Sequence, residues 1–95
     1  MDKLMNSINT RIKYILNNSD NEFIKHRCEI INTKLDELKE RKYKDKDTVY
    51  FICNNIINVD IAKMKGVSGQ TNMVYKKMDE LAGFIEDLKT VYFDK

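Results

Sequence analysis

Apolar residues recur along the chain at alternating steps of three and four, the spacing of a helix with one buried stripe. The first stripe is Met1, Met5, Ile8, Ile12 and Ile15. The polar stretch Asn17-Asn18-Ser19-Asp20-Asn21-Glu22 interrupts it. Ser19 followed by Glu22 predicts a capping box, the hydroxyl accepting from one backbone amide and the glutamate reaching back to the serine amide. A second helix is therefore expected to start there. Its stripe is Ile24, Cys28, Ile31, Leu35 and Leu38, widened by Phe23 and Ile30, and charges take over from Lys39 to Asp47.

The third segment carries mixed signals. Val49 to Cys53 is rich in β-branched and aromatic residues, as strands are. It continues through Ile56, Ile57, Val59, Ile61 and Met64, which strict alternation does not describe. A helix with a wide apolar face accounts for all of it, with a cap near Asp47 and a stop at Gly66, where glycine tolerates a left-handed turn. Val67-Ser68-Gly69-Gln70-Thr71 reads as a loop, with Ser68 or Thr71 capping the last helix. The stripe of that helix is the cleanest: Val74, Met78, Leu81, Ile85, Leu88 and Tyr92, flanked by Phe84 and Val91. Short connections make successive helices antiparallel neighbours. The expected architecture is thus all-α, an antiparallel up-down four-helix bundle forming a single domain over residues 1–95.

Composition agrees. A chain of 95 residues makes one small domain, and 42% apolar with 34% charged residues is a globular balance. The net charge of +2 is too small to argue for a nucleic-acid or membrane partner by itself. Proline is absent, so little interrupts helices. The longest apolar run, Val49-Tyr50-Phe51-Ile52-Cys53, falls far short of the roughly 20 residues of a membrane span. No apolar stretch of signal-peptide length opens the chain, so a cytoplasmic location is expected. Cys28 and Cys53 are then expected to be reduced, buried thiols. With a single histidine at scattered spacing they form no metal site, and no cofactor is expected.

Few residues carry chemistry. Lys39-Glu40-Arg41-Lys42-Tyr43-Lys44-Asp45-Lys46 is a basic run with an aromatic inside it. It reads as a nucleic-acid or anionic-lipid contact, or as a solvated helix end, which the interleaved acids favour. His26, between Lys25 and Arg27, has no nucleophile at a useful spacing. Ile61 to Thr71 has the look of a helix-turn-helix, but Asn72 stands where a recognition helix needs an apolar residue, and Val74 and Met78 are out of phase. On the last helix, Tyr75, Lys76, Lys77 and Lys89 are expected to face solvent. Tyr75 should then pair with Asp79 and Lys76 with Glu80 by i,i+4 spacing. Tyr92 and Phe93 form an aromatic end, either folded back on the bundle or part of a contact surface.

The layout resembles the immunity proteins of pediocin-like (class IIa) bacteriocins, the enterocin A type. Ile15-Leu16-Asn17-Asn18 closes a short first helix. Lys34-Leu35-Asp36-Glu37-Leu38-Lys39-Glu40-Arg41-Lys42-Tyr43 is similar to that family's Leu-Glu-Lys stretch followed by Lys-Tyr. Lys65-Gly66-Val67-Ser68 before Lys76-Lys77-Met78-Asp79-Glu80-Leu81 looks like its Gly-Val-Ser turn before a Lys-Lys-Leu-x-Glu-Leu helix. The resemblance implies a four-helix bundle that protects a producer cell from its own pore-forming peptide. It implies action from the cytoplasmic side on the complex of bacteriocin with the membrane subunits of the mannose phosphotransferase, with peripheral association at the inner face of the membrane. Specificity then lies in the C-terminal half, on Tyr75, Lys76, Lys77, Lys89, Tyr92 and Phe93. Many members carry a longer tail, which here corresponds to about Val91 through Lys95.

Three classes of function thus stand side by side: a protective binding protein, expected to be a monomer; a small helix-turn-helix DNA regulator; and a phage-type helical inhibitor or interaction module. An enzyme is least favoured, because no carboxylate pair, nucleophile–base pair or phosphate loop is apparent. No nucleic-acid partner is expected under the leading reading.

Overall fold

The computed structural model describes residues 2–94, and among them every regular element is helical. Helix α1 (Asp2–Asn18) and α2 (Glu22–Lys39) are followed by α3 (Lys46–Asn55), a π-helical turn (Ile56–Ile61) and α4 (Ala62–Lys65), then by α5 (Asn72–Val91). Backbone angles stay helical through both junctions, at Ile56 and Ala62, so α3, the π turn and α4 form one continuous rod. The four rods run up and down: α1 packs on α2 and, most extensively, on α5, while the third rod packs on α2 and α5. The result is the expected antiparallel four-helix bundle, with principal extents of 40 × 22 × 17 Å. That is one helix length by about two helix diameters.

Each stripe closes on the others. Met5, Ile8, Ile12 and Ile15 meet Ile24, Cys28, Ile31, Leu35 and Leu38 from α2, and the whole Val74-to-Tyr92 series from α5, all buried. Met1, expected to open the first stripe, and Lys95, the last residue of the tail, lie outside the described residues. Ile57, Val59 and Ile30 are half-buried and Phe23 is exposed, so the flanking positions line the edge of the core rather than its centre. Burial pushes the Cys28 thiol up to about 12 and the Cys53 thiol up to about 11. Both are free and neutral, and Cys28 Sγ contacts Met64 Sδ at 3.8 Å.

The cap of α2 differs from the one the sequence indicates, the cap of α3 falls near Asp47 as expected, and α4 stops at Gly66 as expected but without a left-handed turn there. Asn21 rather than Ser19 caps α2, its side-chain oxygen accepting from the Ile24 amide at 3.0 Å. Ser19 is buried instead, and its hydroxyl donates to Gln70 Oε1 at 2.7 Å, joining the two connections at that end of the bundle. Asp45, two residues before Asp47, caps α3 by accepting from the amide and hydroxyl of Thr48, and these bonds hold its carboxyl below the usual range. Gly66 ends α4 in a right-handed conformation (φ −74°), and the left-handed turn falls on Gly69 (φ 84°).

The π turn resolves the odd spacing of the third stripe. Val49, Cys53 and Ile56 keep helical steps, but the next two core residues are Ile61 and Met64, the first after a step of five. At about 100° per residue an uninterrupted α-helix would swing Ile61 well off the stripe. The extra residue of the π turn, whose closing Ala62 amide donates to Ile57 O, restores the phase. It also turns Asp60 inward beside Ile61. Asp60 is wholly buried, with Arg27 Nη1 at 2.8 Å on one oxygen and Lys34 Nζ at 2.6 Å on the other.

Truncating Ile31 or Ile85 to Ala at the centre of this core is expected to lower unfolding free energy by about 2–5 kcal/mol in urea melts. A cost under about 0.5 kcal/mol at both positions would contradict the packing.

Candidate functional site

The last turn of α5 decides the shape of one end of the bundle. Tyr92 continues the stripe of Leu81, Ile85 and Leu88, so its ring points inward and is only 1% exposed. Its hydroxyl donates to the Tyr43 carbonyl at 3.2 Å, in the connection between α2 and α3. Arg41 closes the clasp from the other side. Its guanidinium lies 5.5 Å from the Tyr92 ring centroid, and Nη1 donates to the Tyr92 carbonyl at 2.7 Å. Arg41 has a left-handed backbone (φ 54°), which turns the chain sharply out of α2 and sets Tyr43 against α5.

Phe93 packs edge-on to Tyr92, with centroids 4.9 Å apart and planes at 73°. Together Arg41, Tyr43, Lys44, Tyr92, Phe93 and Asp94 line a notch of about 200 Å³. Its floor is aromatic. Its rim is charged, with Lys44 and Asp94 both exposed. Tyr43 donates its hydroxyl to the Glu37 carboxylate, and that bond raises its phenol above the ordinary value of 10.0, so it stays a neutral donor. An aromatic floor inside a polar rim suits an apolar side chain of a partner, the usual anchor of a protein contact.

The six positions singled out from the sequence do not gather in one place. Tyr92 and Phe93 are in the notch, but Tyr92 is core rather than exposed. Tyr75, about 25 Å away along α5, is half-buried at the opposite end. Its hydroxyl donates to the Val67 carbonyl and lies 3.4 Å from the Gln70 amide, fastening the 66–71 connection. Lys77 turns toward α1, pairing with Glu80 at 3.2 Å and lying 5.7 Å from the Tyr14 ring. Lys77 and Arg11 together hold the Glu80 carboxyl below its usual range. Lys89 turns toward α3, donating to Asn54 Oδ1 at 2.7 Å and pairing with Glu86. Only Lys76 is exposed as expected. The i,i+4 pairs do not form: Asp79 takes Lys65, and Glu80 takes Lys77 and Arg11. Packing against α1 and α3 draws Lys77 and Lys89 to neighbouring helices instead.

The notch adds three residues of the basic run that the α5 pattern omits, Arg41, Tyr43 and Lys44. The basic run itself is mostly a solvated helix end, where Lys42 pairs with Glu40 at 3.1 Å. His26 is exposed, and among the described residues no cluster of His, Cys, Asp or Glu is arranged to hold a metal ion. The stretch from Ile61 to Thr71 joins rods that pack antiparallel on one another, whereas a helix-turn-helix crosses at a steep angle. Asn72 is exposed at the start of α5.

No protein-family model, curated protein or solved structure matches the chain.

Replacing Tyr92 with Ala is expected to cost about 3–5 kcal/mol, while Phe93→Ala costs under about 1 kcal/mol because the ring only half leaves water. Equal costs in denaturant titrations would show that the two rings share one role.

Proposed function

We propose that this chain is a protective binding protein of the bacteriocin-immunity type, acting by contact rather than catalysis. The notch formed by Arg41, Tyr43, Lys44, Tyr92, Phe93 and Asp94 is its partner-binding surface. The observation that supports the reading most is that this end joins two segments distant in sequence, the C-terminal aromatics and the basic connection, into one aromatic recess. The four-helix architecture is the one that the resemblance to the class IIa immunity family implies. No helix of the described residues is long and apolar enough to cross a membrane. On this reading the protein meets, from the inner face, the mannose phosphotransferase membrane subunits carrying a bound bacteriocin. Phe93 and the open rim supply the specificity, while Tyr92 and Arg41 hold the shape.

Expression in a bacteriocin-sensitive strain, challenged with a panel of class IIa peptides, tests both parts of this proposal. The wild-type chain should protect against at least one peptide. Phe93→Ala and Lys44→Glu should each reduce protection at least tenfold in inhibitory concentration with helix content unchanged, and His26→Ala should leave it intact. Absence of protection across the panel would overturn the immunity reading. Full protection by both notch variants would place the contact elsewhere.

A further inference from the structure

The outer face of the third rod carries five residues at constant steps of four: Asp47, Phe51, Asn55, Val59 and Lys63. Asp47, Phe51 and Lys63 are exposed, and Asn55 and Val59 are half-buried. In an uninterrupted α-helix each step of four drifts by about 40°, so five such positions would spiral off any single face. The extra residue of the π turn takes up part of that drift and keeps them along one side of the rod. Between Asp47 and Lys63 the only charged residue is Asp60, which is wholly buried. The face therefore runs for about 24 Å without exposed charge, from an acid at one end to a base at the other. Among the described residues neither end is in an ion pair.

This pattern is complementary to itself. Asn55 lies midway in the series, so a second copy laid antiparallel about a two-fold axis there sets Asp47 against Lys63 and Phe51 against Val59, at both ends at once. Phe51 is 69% exposed, and with Asn54, Asn55, Asn58 and Val59 it lines a depression of about 200 Å³, room for the ring of the other copy. The flanks bring no repulsion of their own. Lys34 and Lys89 reach Asn55 and Asn54 from the two neighbouring helices, and each already faces a carboxylate, Asp60 and Glu86 respectively. Carboxamides carry both donors and acceptors, so a copy of the same face can satisfy them. An aromatic within an uncharged strip is also the composition of an interface core, where charged residues are depleted.

We propose that this face pairs two copies of the chain, antiparallel across a two-fold axis near Asn55. A strip about 24 Å by 10 Å is smaller than the roughly 800 Å² per partner of stable complexes, so the dimer is weak and reversible. The proposal does not rest on the immunity reading. Sedimentation equilibrium from about 10 µM to about 1 mM tests it, at low ionic strength where surface charges are least screened. The wild-type chain should move from the mass of one chain toward that of two. Phe51→Ala should weaken pairing at least tenfold with helix content unchanged. Asp47→Lys and Lys63→Glu should each weaken it at least fivefold, because symmetry places two like-charge contacts in each variant dimer. Mixed in equal amounts, those two variants should pair as tightly as wild type, since every 47–63 contact between them again joins opposite charges. The mass of a single chain at every concentration would overturn the proposal and leave the face to another partner. So would a dimer indifferent to Phe51→Ala, or a mixture no tighter than its components.

Discussion

Burial of Tyr92 is the constraint on which the notched end of this molecule depends. The ring completes the stripe of α5, and its full desolvation is worth about 1.5–3 kcal/mol. A buried phenol must also find a partner for its hydroxyl. The partner is the Tyr43 carbonyl, and the Arg41 guanidinium caps the ring and takes the Tyr92 carbonyl. One side chain therefore fixes the position of the α2–α3 connection relative to the last helix. The notch is a consequence of that clasp, because Phe93, Lys44 and Asp94 sit where the clasp leaves them.

A second constraint acts midway along the third rod. The core requires Ile56 and Ile61 on one face although five positions separate them, and the π turn satisfies it. Its cost is a carboxylate carried inward at Asp60. Removing that charge from water costs several kcal/mol. Two cations from α2, each still partly in contact with solvent, offset it through short charge-assisted bonds. The same turn sets Asn55 against Lys34. Hydrophobic phase and a buried ion cluster are thus linked through a single extra residue.

The stripes made the fold legible, because helical spacing of Ile, Leu and Met depends only on which face is buried. The residues Ile8, Ile31, Leu81 and Ile85 all follow that rule. The caps were less legible: Ser19-x-x-Glu22 has the right spacing, yet a long-range bond to Gln70 competes for the serine. The π turn left a signal in the step from Ile56 to Ile61 and in the lone acid Asp60 within an apolar run, and reading it requires a partner from another helix. The site was half legible. Tyr92 and Phe93 announced an aromatic end, but Tyr92 is also in phase with the stripe, which marks it as core. Arg41 and Tyr43 join them only through tertiary folding, and the fates of Lys77 and Lys89 depend on which neighbouring helix presents a partner.

The central claim is that the notch, rather than another part of the bundle, meets the partner. A photoreactive benzophenone side chain placed at Phe93, in a sensitive strain expressing the chain, addresses it directly. The expected result is a crosslink to a membrane-embedded phosphotransferase subunit that forms on exposure to the bacteriocin and is absent when the same group replaces Phe23. A crosslink of equal yield from position 23, or one from position 93 that is indifferent to bacteriocin, would contradict it.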